Sequence, residues 1–151
     1  MSAAPLSREQ RSLRTRARRR ALQAVYAWQL SGYSMTRIQE QFAHEQEAET
    51  ADLDYFQALI FGVEADLAEL DKLLRPLLDR EIEQVDPIER SVLRMAAWEL
   101  SRRLDTPGRV VLNEALELAK RFGSNQGHTF VNGILDPLAR QLRGSELTTP
   151  G

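Results

Sequence analysis

From Phe56 to Leu77 the chain sets Phe56, Ile60, Val63, Leu67, Leu70, Leu74 and Leu77 three or four positions apart. That is the repeat of one helix face, and it cannot serve a half-buried strand, whose side chains alternate every two residues. The same spacing recurs along the rest of the chain, and alternating β-branched runs bounded by Asn-Gly or Asp-Gly are missing. The sequence therefore predicts an all-α fold, with about seven helices in two small antiparallel bundles packed together.

Punctuation between the apolar stripes places the helices. A first helix is predicted from about Arg16 to Leu30, with Ala17, Ala21, Val25 and Trp28 on one face and a stop at Ser31-Gly32. Ser34 is placed to cap a second helix carrying Ile38 and Phe42. The stretch from Glu40 to Asp54 holds six acids and no base, and reads as a solvated surface or loop. The long stripe predicts a helix over 53–75, which Pro76 ends, and a short one over 77–83. Asp86-Pro87-Ile88-Glu89 combines a capping aspartate, a proline at the first helical position and a glutamate at the third, so a helix should run from Pro87 to about Arg103. After the Thr106-Pro107-Gly108 turn, Val111, Ala115, Leu118 and Phe122 mark a helix that Gly123 should end in the left-handed conformation. Phe130, Ile134, Leu138 and Leu142 mark the last. Within it Pro137 removes the hydrogen bond to Gly133 and is expected to kink the helix, or to open a new turn capped by Asp136. One domain is expected over 16–143, between a basic, flexible arm at 1–15 and a disordered tail at 144–151.

Composition narrows the chemistry. The 151 residues include no cysteine and two histidines, which excludes a disulfide framework and a cysteine nucleophile and leaves little to build a metal site. No apolar run reaches the roughly 20 residues that span a bilayer, and the protein is expected to be cytoplasmic. Glycine-rich phosphate loops, nucleophile elbows and helical histidine pairs are absent from the sequence, so no enzyme and no cofactor is predicted. His44 reads as a surface residue, and His128 as one that orients a loop or touches an anion. Glu99 lies on the apolar stripe of its helix, as a catalytic or a structural carboxylate would. With no partner acid or nucleophile, the structural reading is the simpler.

The charge is unevenly spread. Residues 1–20 carry seven arginines against Glu9 alone, a net +6, so the overall −2 leaves −8 for the remainder. A basic arm on an acidic body suits phosphates, which match the planar donor fork of arginine, although a solvated leader would look the same. Arg14 and Arg18 share a helix face that continues the core stripe. Since arginines are not expected in a core, the arm should overhang the body or peel away from it. Trp28 is expected in the core and Tyr26 at the surface. Lys120 and Arg121, followed by Ser124-Asn125-Gln126, form a second patch that either reads base edges or simply complements a helix C-terminus.

Four segments together resemble the NusB family of bacterial transcription antitermination factors: Arg18 to Leu30 (RRRALQAVYAWQL), Ser91 to Leu100 (SVLRMAAWEL), Asn113 to Gly123 (NEALELAKRFG) and Phe130 to Asp136 (FVNGILD). The resemblance implies two three-helix bundles and no catalysis. It also implies binding of boxA-type single-stranded RNA together with NusE, a small-subunit ribosomal protein, within an RNA polymerase antitermination complex that transcribes ribosomal RNA operons. By the same resemblance Arg14, Arg16 and Arg18 fall on the RNA-contacting motif. Tyr26, Gln29, Lys120, Asn125, Gln126, His128 and Thr129 fall on or beside the other RNA-facing segments. Glu89, Arg90 and Arg94 are the candidates for an exposed partner surface. The chain departs from the family pattern in the early start of its arm, with Arg8 and Arg11, in Gly127, and in Pro137. A second resemblance, to the helical accessory domains of some ribosomal RNA methyltransferases, implies an interaction or rRNA-binding module instead.

Overall fold

A computed structural model describes residues 5–43 and 51–147, and among these the secondary structure is entirely helical. The chain divides into two compact units, Met1–Ala65 and Asp66–Gly151. His44 and much of the acidic stretch lie outside the described residues, as do the ends of the expected arm and tail.

The first unit is a three-helix bundle of α1 (Arg8–Ser31), α2 (Met35–Ala43) and α3 (Leu53–Ala65). α1 starts eight residues earlier than its apolar stripe predicts. The signal for that start is Ser7-Arg8-Glu9-Gln10, a capping box in which the Ser7 hydroxyl accepts from the Gln10 N–H at 3.1 Å and the Gln10 amide oxygen accepts from the Ser7 N–H at 2.8 Å. The helix ends at Gly32, which takes φ 75° and donates its N–H to the Trp28 carbonyl. Ala17, Ala21 and Ala24 are fully buried on α1. Their small side chains let α2 and α3 approach closely, with Met35, Ile38, Phe56, Leu59, Ile60 and Val63 filling the interior. Trp28 is half-buried rather than in the core, and Tyr26 is half-buried as well.

The second unit holds α4 (Leu67–Leu74), α5 (Pro87–Arg102), α6 (Gly108–Phe122) and α7 (Gly127–Leu147), with 3-10 turns at Arg75–Leu77 and Ile82–Gln84 in place of the short helix predicted there. The helix predicted over 53–75 is two helices. Asp66 leaves helical geometry at φ −102° and ψ 15°, and its carboxylate accepts from the Arg102 Nε at 3.0 Å. An apolar stripe cannot reveal such a break, because Val63 and Leu67 stay four apart across it.

α5 is the axis of this unit. Asp86 caps it, accepting from the Ile88 and Glu89 N–H groups at 2.9 and 3.2 Å, and every residue from Ser91 to Leu100 is buried. α4, α6 and α7 pack around it. To α4 it is joined by a two-pronged ion pair, with Arg94 Nε and Nη2 at 3.0 and 2.9 Å from the two Asp71 oxygens.

Its C-terminal end is closed by Arg143, whose buried guanidinium, 4% exposed as a residue, donates to the carbonyls of Glu99, Leu100, Arg103 and Thr106 at 2.9–3.2 Å. Arg143 also donates to one Glu146 oxygen at 2.8 Å, while the other accepts from the Gly108 N–H at 2.9 Å. One acid–base pair thus satisfies the last carbonyls of α5 and the first turn of α6. The backbone of α7 leaves helical geometry at Arg143 (φ −132°, ψ 33°), and not at Pro137. Pro137 is exposed, and Gly133, one turn earlier, has open space where a Cβ would stand. Gly133, whose carbonyl loses its helical donor to the proline, is exposed as well. Asp136 pairs with Arg140 instead of capping a turn. Among the described residues no helix is long and apolar enough to cross a membrane.

Arg143→Ala is expected to lower stability by about 3–5 kcal/mol, the range for removing one partner of a buried charged group, read as a drop in urea midpoint at unchanged m-value. Burial raises the Glu146 pKa, but the Gly108 N–H and the Arg143 charge together outweigh it and hold the carboxyl below its ordinary value. Its stabilisation is therefore complete above the unfolded-state pKa and lost as pH falls through the lower folded-state pKa. Glu146→Gln should flatten that part of the stability–pH curve.

Candidate nucleic-acid interface

The α1 arginines divide by helix face. Arg14 and Arg18 look inward, against expectation. The Arg18 residue is only 3% exposed, its Nη2 donating to the Tyr55 hydroxyl at 3.2 Å and its guanidinium lying 5.1 Å from the ring centroid. Arg14 covers the same ring at 4.4 Å and pairs with Asp52 at 3.7 Å. Asp52 in turn accepts from the Tyr55 N–H, and its own N–H donates to the Leu13 carbonyl. A guanidinium enters an interior when a π face and oxygens meet it and its stem packs on apolar surface. Arg14 and Arg18 are here part of the bundle, fastening the start of α3 to α1. Arg20 does the same for α2, donating to the Phe42 carbonyl at 3.3 Å.

Arg16 is exposed, as is Arg8, and Arg19 is half-buried. At 100° per residue, Arg8, Arg16, Arg19, Gln23 and Tyr26 fall within a quarter turn of one another, on the side of α1 opposite its buried alanines. Sequence reasoning misses Arg8 and Arg19 as RNA-facing candidates because it shows charge without phase. Gln29, six residues after Gln23 and about a third of a turn round from it at 100° per residue, is half-buried.

In the second unit Lys120, Asn125, Gln126 and Thr129 are exposed and His128 is half-buried, all within the end of α6, the following loop and the first turn of α7. Lys120 has Glu117 3.7 Å away. Gly123 is extended at φ −84°, not left-handed. Its glycine identity answers a different need, since a Cβ there would come within 2.7 Å of the Ala119 carbonyl oxygen. Arg80, unremarked in the sequence, lies 4.8 Å over the Phe130 ring and adds a cation beside α7.

The three residues expected to form an exposed partner surface are committed inside the unit. Glu89 is 5% exposed and accepts from the Ser124 N–H at 3.1 Å. Arg94 is 8% exposed and held by Asp71. Arg90 is half-buried and donates to the Ile82 and Glu83 carbonyls at 3.4 and 3.0 Å. Burial, and then the charge of Arg94, lower its pKa from the ordinary guanidinium value. Charges in the first two turns of a helix look exposed in sequence, but Glu89 is buried and burial runs all round α5 from Ser91 to Leu100. Glu99 is buried, as its place on the stripe suggested. Among the described residues no cluster of three or more histidine or acidic side chains could hold a metal.

The sequence pattern of the NusB family matches residues 15–140. The chain belongs to the NusB family. It is 60% identical over 139 residues to the transcription antitermination protein NusB of Xanthomonas axonopodis pv. citri (strain 306), covering 92% of this chain and 87% of that one. Among solved structures, NusB from T. maritima is 27% identical, with a TM-score of 0.77 over 99% of this chain and all of that one. A chain in the crystal structure of the antitermination factors NusB and NusE with dsRNA shares the fold at 21% identity and a TM-score of 0.70, over 84% of this chain and 96% of that one. The four segments that carried the resemblance all lie within the NusB match, which begins at Thr15, inside α1.

Arg18→Ala is expected to destabilise the free protein by about 2 kcal/mol or more, since it strips a buried hydrogen bond and a cation–π interaction at once. Arg16→Ala should stay within about 0.5 kcal/mol of wild type. Paired thermal melts distinguish them, and equal losses would contradict the inward–outward division.

Proposed function

We propose that this NusB-family protein is a cytoplasmic, RNA-binding transcription antitermination factor, not an enzyme. In this reading it engages boxA-type single-stranded RNA together with a NusE-type ribosomal protein, as part of an RNA polymerase antitermination complex. The observation that carries the reading is the outward arginine face of α1, with Arg8, Arg16 and Arg19 beside Tyr26 on an otherwise acidic chain. Arginine forks suit backbone phosphates, and Tyr26 offers a face for a base or sugar. Asn125, Gln126 and Thr129 supply exposed donors and acceptors for base edges, with Lys120 for a phosphate and His128 and Gln29 flanking. Arg14 and Arg18 act through the fold, by holding α1 in place. The relatives named as antitermination proteins, and the related complex of NusB and NusE with dsRNA, support RNA binding with that partner, though not the strand preference. A basic ribosomal-protein partner also suits a chain that carries −8 outside its first 20 residues.

Single-strandedness follows from the kind of side chains on offer, because amides and an aromatic read splayed bases that a duplex would hide. The test is fluorescence anisotropy with a boxA-type RNA, single-stranded and annealed, with and without the ribosomal-protein partner. Tighter binding of the single strand is expected, strengthened by the partner. Replacing Arg8, Arg16 and Arg19 by alanine should weaken binding and shrink the log–log salt slope by about 0.7 for each phosphate that is no longer neutralised. An unchanged slope and affinity would overturn the arginine face as the RNA-binding surface, and equal affinity for duplex would overturn the strand preference.

A further inference from the structure

We propose that Glu89 is the positioning residue of the α6–α7 loop, a buried carboxylate that sets the loop so that Asn125 and Gln126 face outward to RNA. The proposal rests on the RNA-binding reading above and gives it a mechanical basis. Glu89 is fixed from its own side, because Asp86 caps the helix and accepts its N–H at 3.2 Å. Its Oε2 then accepts from the Ser124 N–H at 3.1 Å. Ser124 is held at its other end as well, its carbonyl accepting from the Gly127 N–H at 3.0 Å.

The two glycines of Gly123-Ser124-Asn125-Gln126-Gly127 crowd the same carboxylate. A Cβ on Gly127 would stand 2.7 Å from Oε2 and 2.8 Å from Cδ, and one on Gly123 3.3 Å from Oε2. A side chain at 127 would therefore displace the carboxylate from its place against Ser124. Between these anchors Asn125 and Gln126 are exposed. Burying a carboxylate is costly unless hydrogen bonds compensate it. Here the hydrogen bond runs to a loop N–H that no helix would otherwise satisfy. A loop ordered before RNA arrives spares that ordering from the binding free energy, as preorganised sites do.

The experiment compares wild type, Glu89→Ala, Glu89→Gln, Gly127→Ala and the double variant Glu89→Ala/Gly127→Ala. Each is assayed for amide exchange at Ser124 in the free protein, for affinity toward single-stranded boxA-type RNA, and for the salt dependence of that affinity. Glu89→Ala should deprotect the Ser124 amide and weaken RNA binding about tenfold while leaving the salt slope unchanged, since no cation is removed. Glu89→Gln keeps an acceptor at the same place and should bind within about twofold of wild type. Gly127→Ala should weaken binding to a similar degree as Glu89→Ala, and adding it to Glu89→Ala should cost little more, because both act on the same hydrogen bond. Wild-type affinity in Glu89→Ala, a glutamine variant as impaired as alanine, or fully additive losses would each overturn the proposal. If the wild-type protein failed to bind RNA at all, the functional reading would fall, and Ser124 exchange in the free protein would still decide whether Glu89 holds the loop.

Discussion

The geometry of the second unit depends on one guanidinium. A helix end leaves carbonyls without partners, and at the end of α5 several of them face the buried Arg143 guanidinium. Arg143 brings donors to four carbonyls from a helix roughly 40 positions later in sequence, so the end of α5, the loop into α6 and the last turns of α7 are fixed by a single side chain. Glu146 extends the same network to the start of α6. Lysine could not substitute, because its compact ammonium lacks the planar fork that reaches several acceptors at once. The first unit solves a similar problem with Arg14, Arg18 and Arg20, which bind a ring, a carboxylate and a helix-end carbonyl.

Arginine therefore has two occupations in this chain, and they lie side by side on α1. Within one helical turn, Arg18 is sealed against Tyr55 while Arg16 and Arg19 face away from the bundle. The same helix that builds the bundle carries the proposed ligand-binding face, so the geometry of that face is set by a packed element rather than by a free arm. A rigid display of charges lowers the ordering cost of binding, which a disordered basic leader would have to meet in full.

What the sequence made legible were the features that local chemistry fixes. Asp86-Pro87 opened α5 where predicted, Ser31-Gly32 closed α1, and the three-and-four spacing gave the helical class. The illegible features were those decided by distant partners. Arg18 reads as surface charge until Tyr55 is placed beside it, and Glu89 reads as a docking charge until Ser124 returns to it across 35 positions. The break at Asp66 was hidden because the apolar phase runs through it, and Pro137 misled because the backbone of α7 departs from helical geometry at Arg143, where a distant set of carbonyls draws the guanidinium in. For the candidate interface, residue types were readable but their phase on α1 was not. Arg8 and Arg19 needed the full extent of that helix, and the capping box at Ser7-Gln10 was the overlooked signal for it.

The glycine pair at 123 and 127 separates two kinds of evolutionary freedom. A methyl group at 123 would strike the Ala119 carbonyl and one at 127 the Glu89 carboxylate, so a change at either end must displace its neighbour. The exposed side chains at 125 and 126 meet no such restriction. A lineage can therefore rewrite the chemistry presented by this loop one letter at a time while its backbone frame stays constant, and changes of ligand preference need not pass through unstable intermediates.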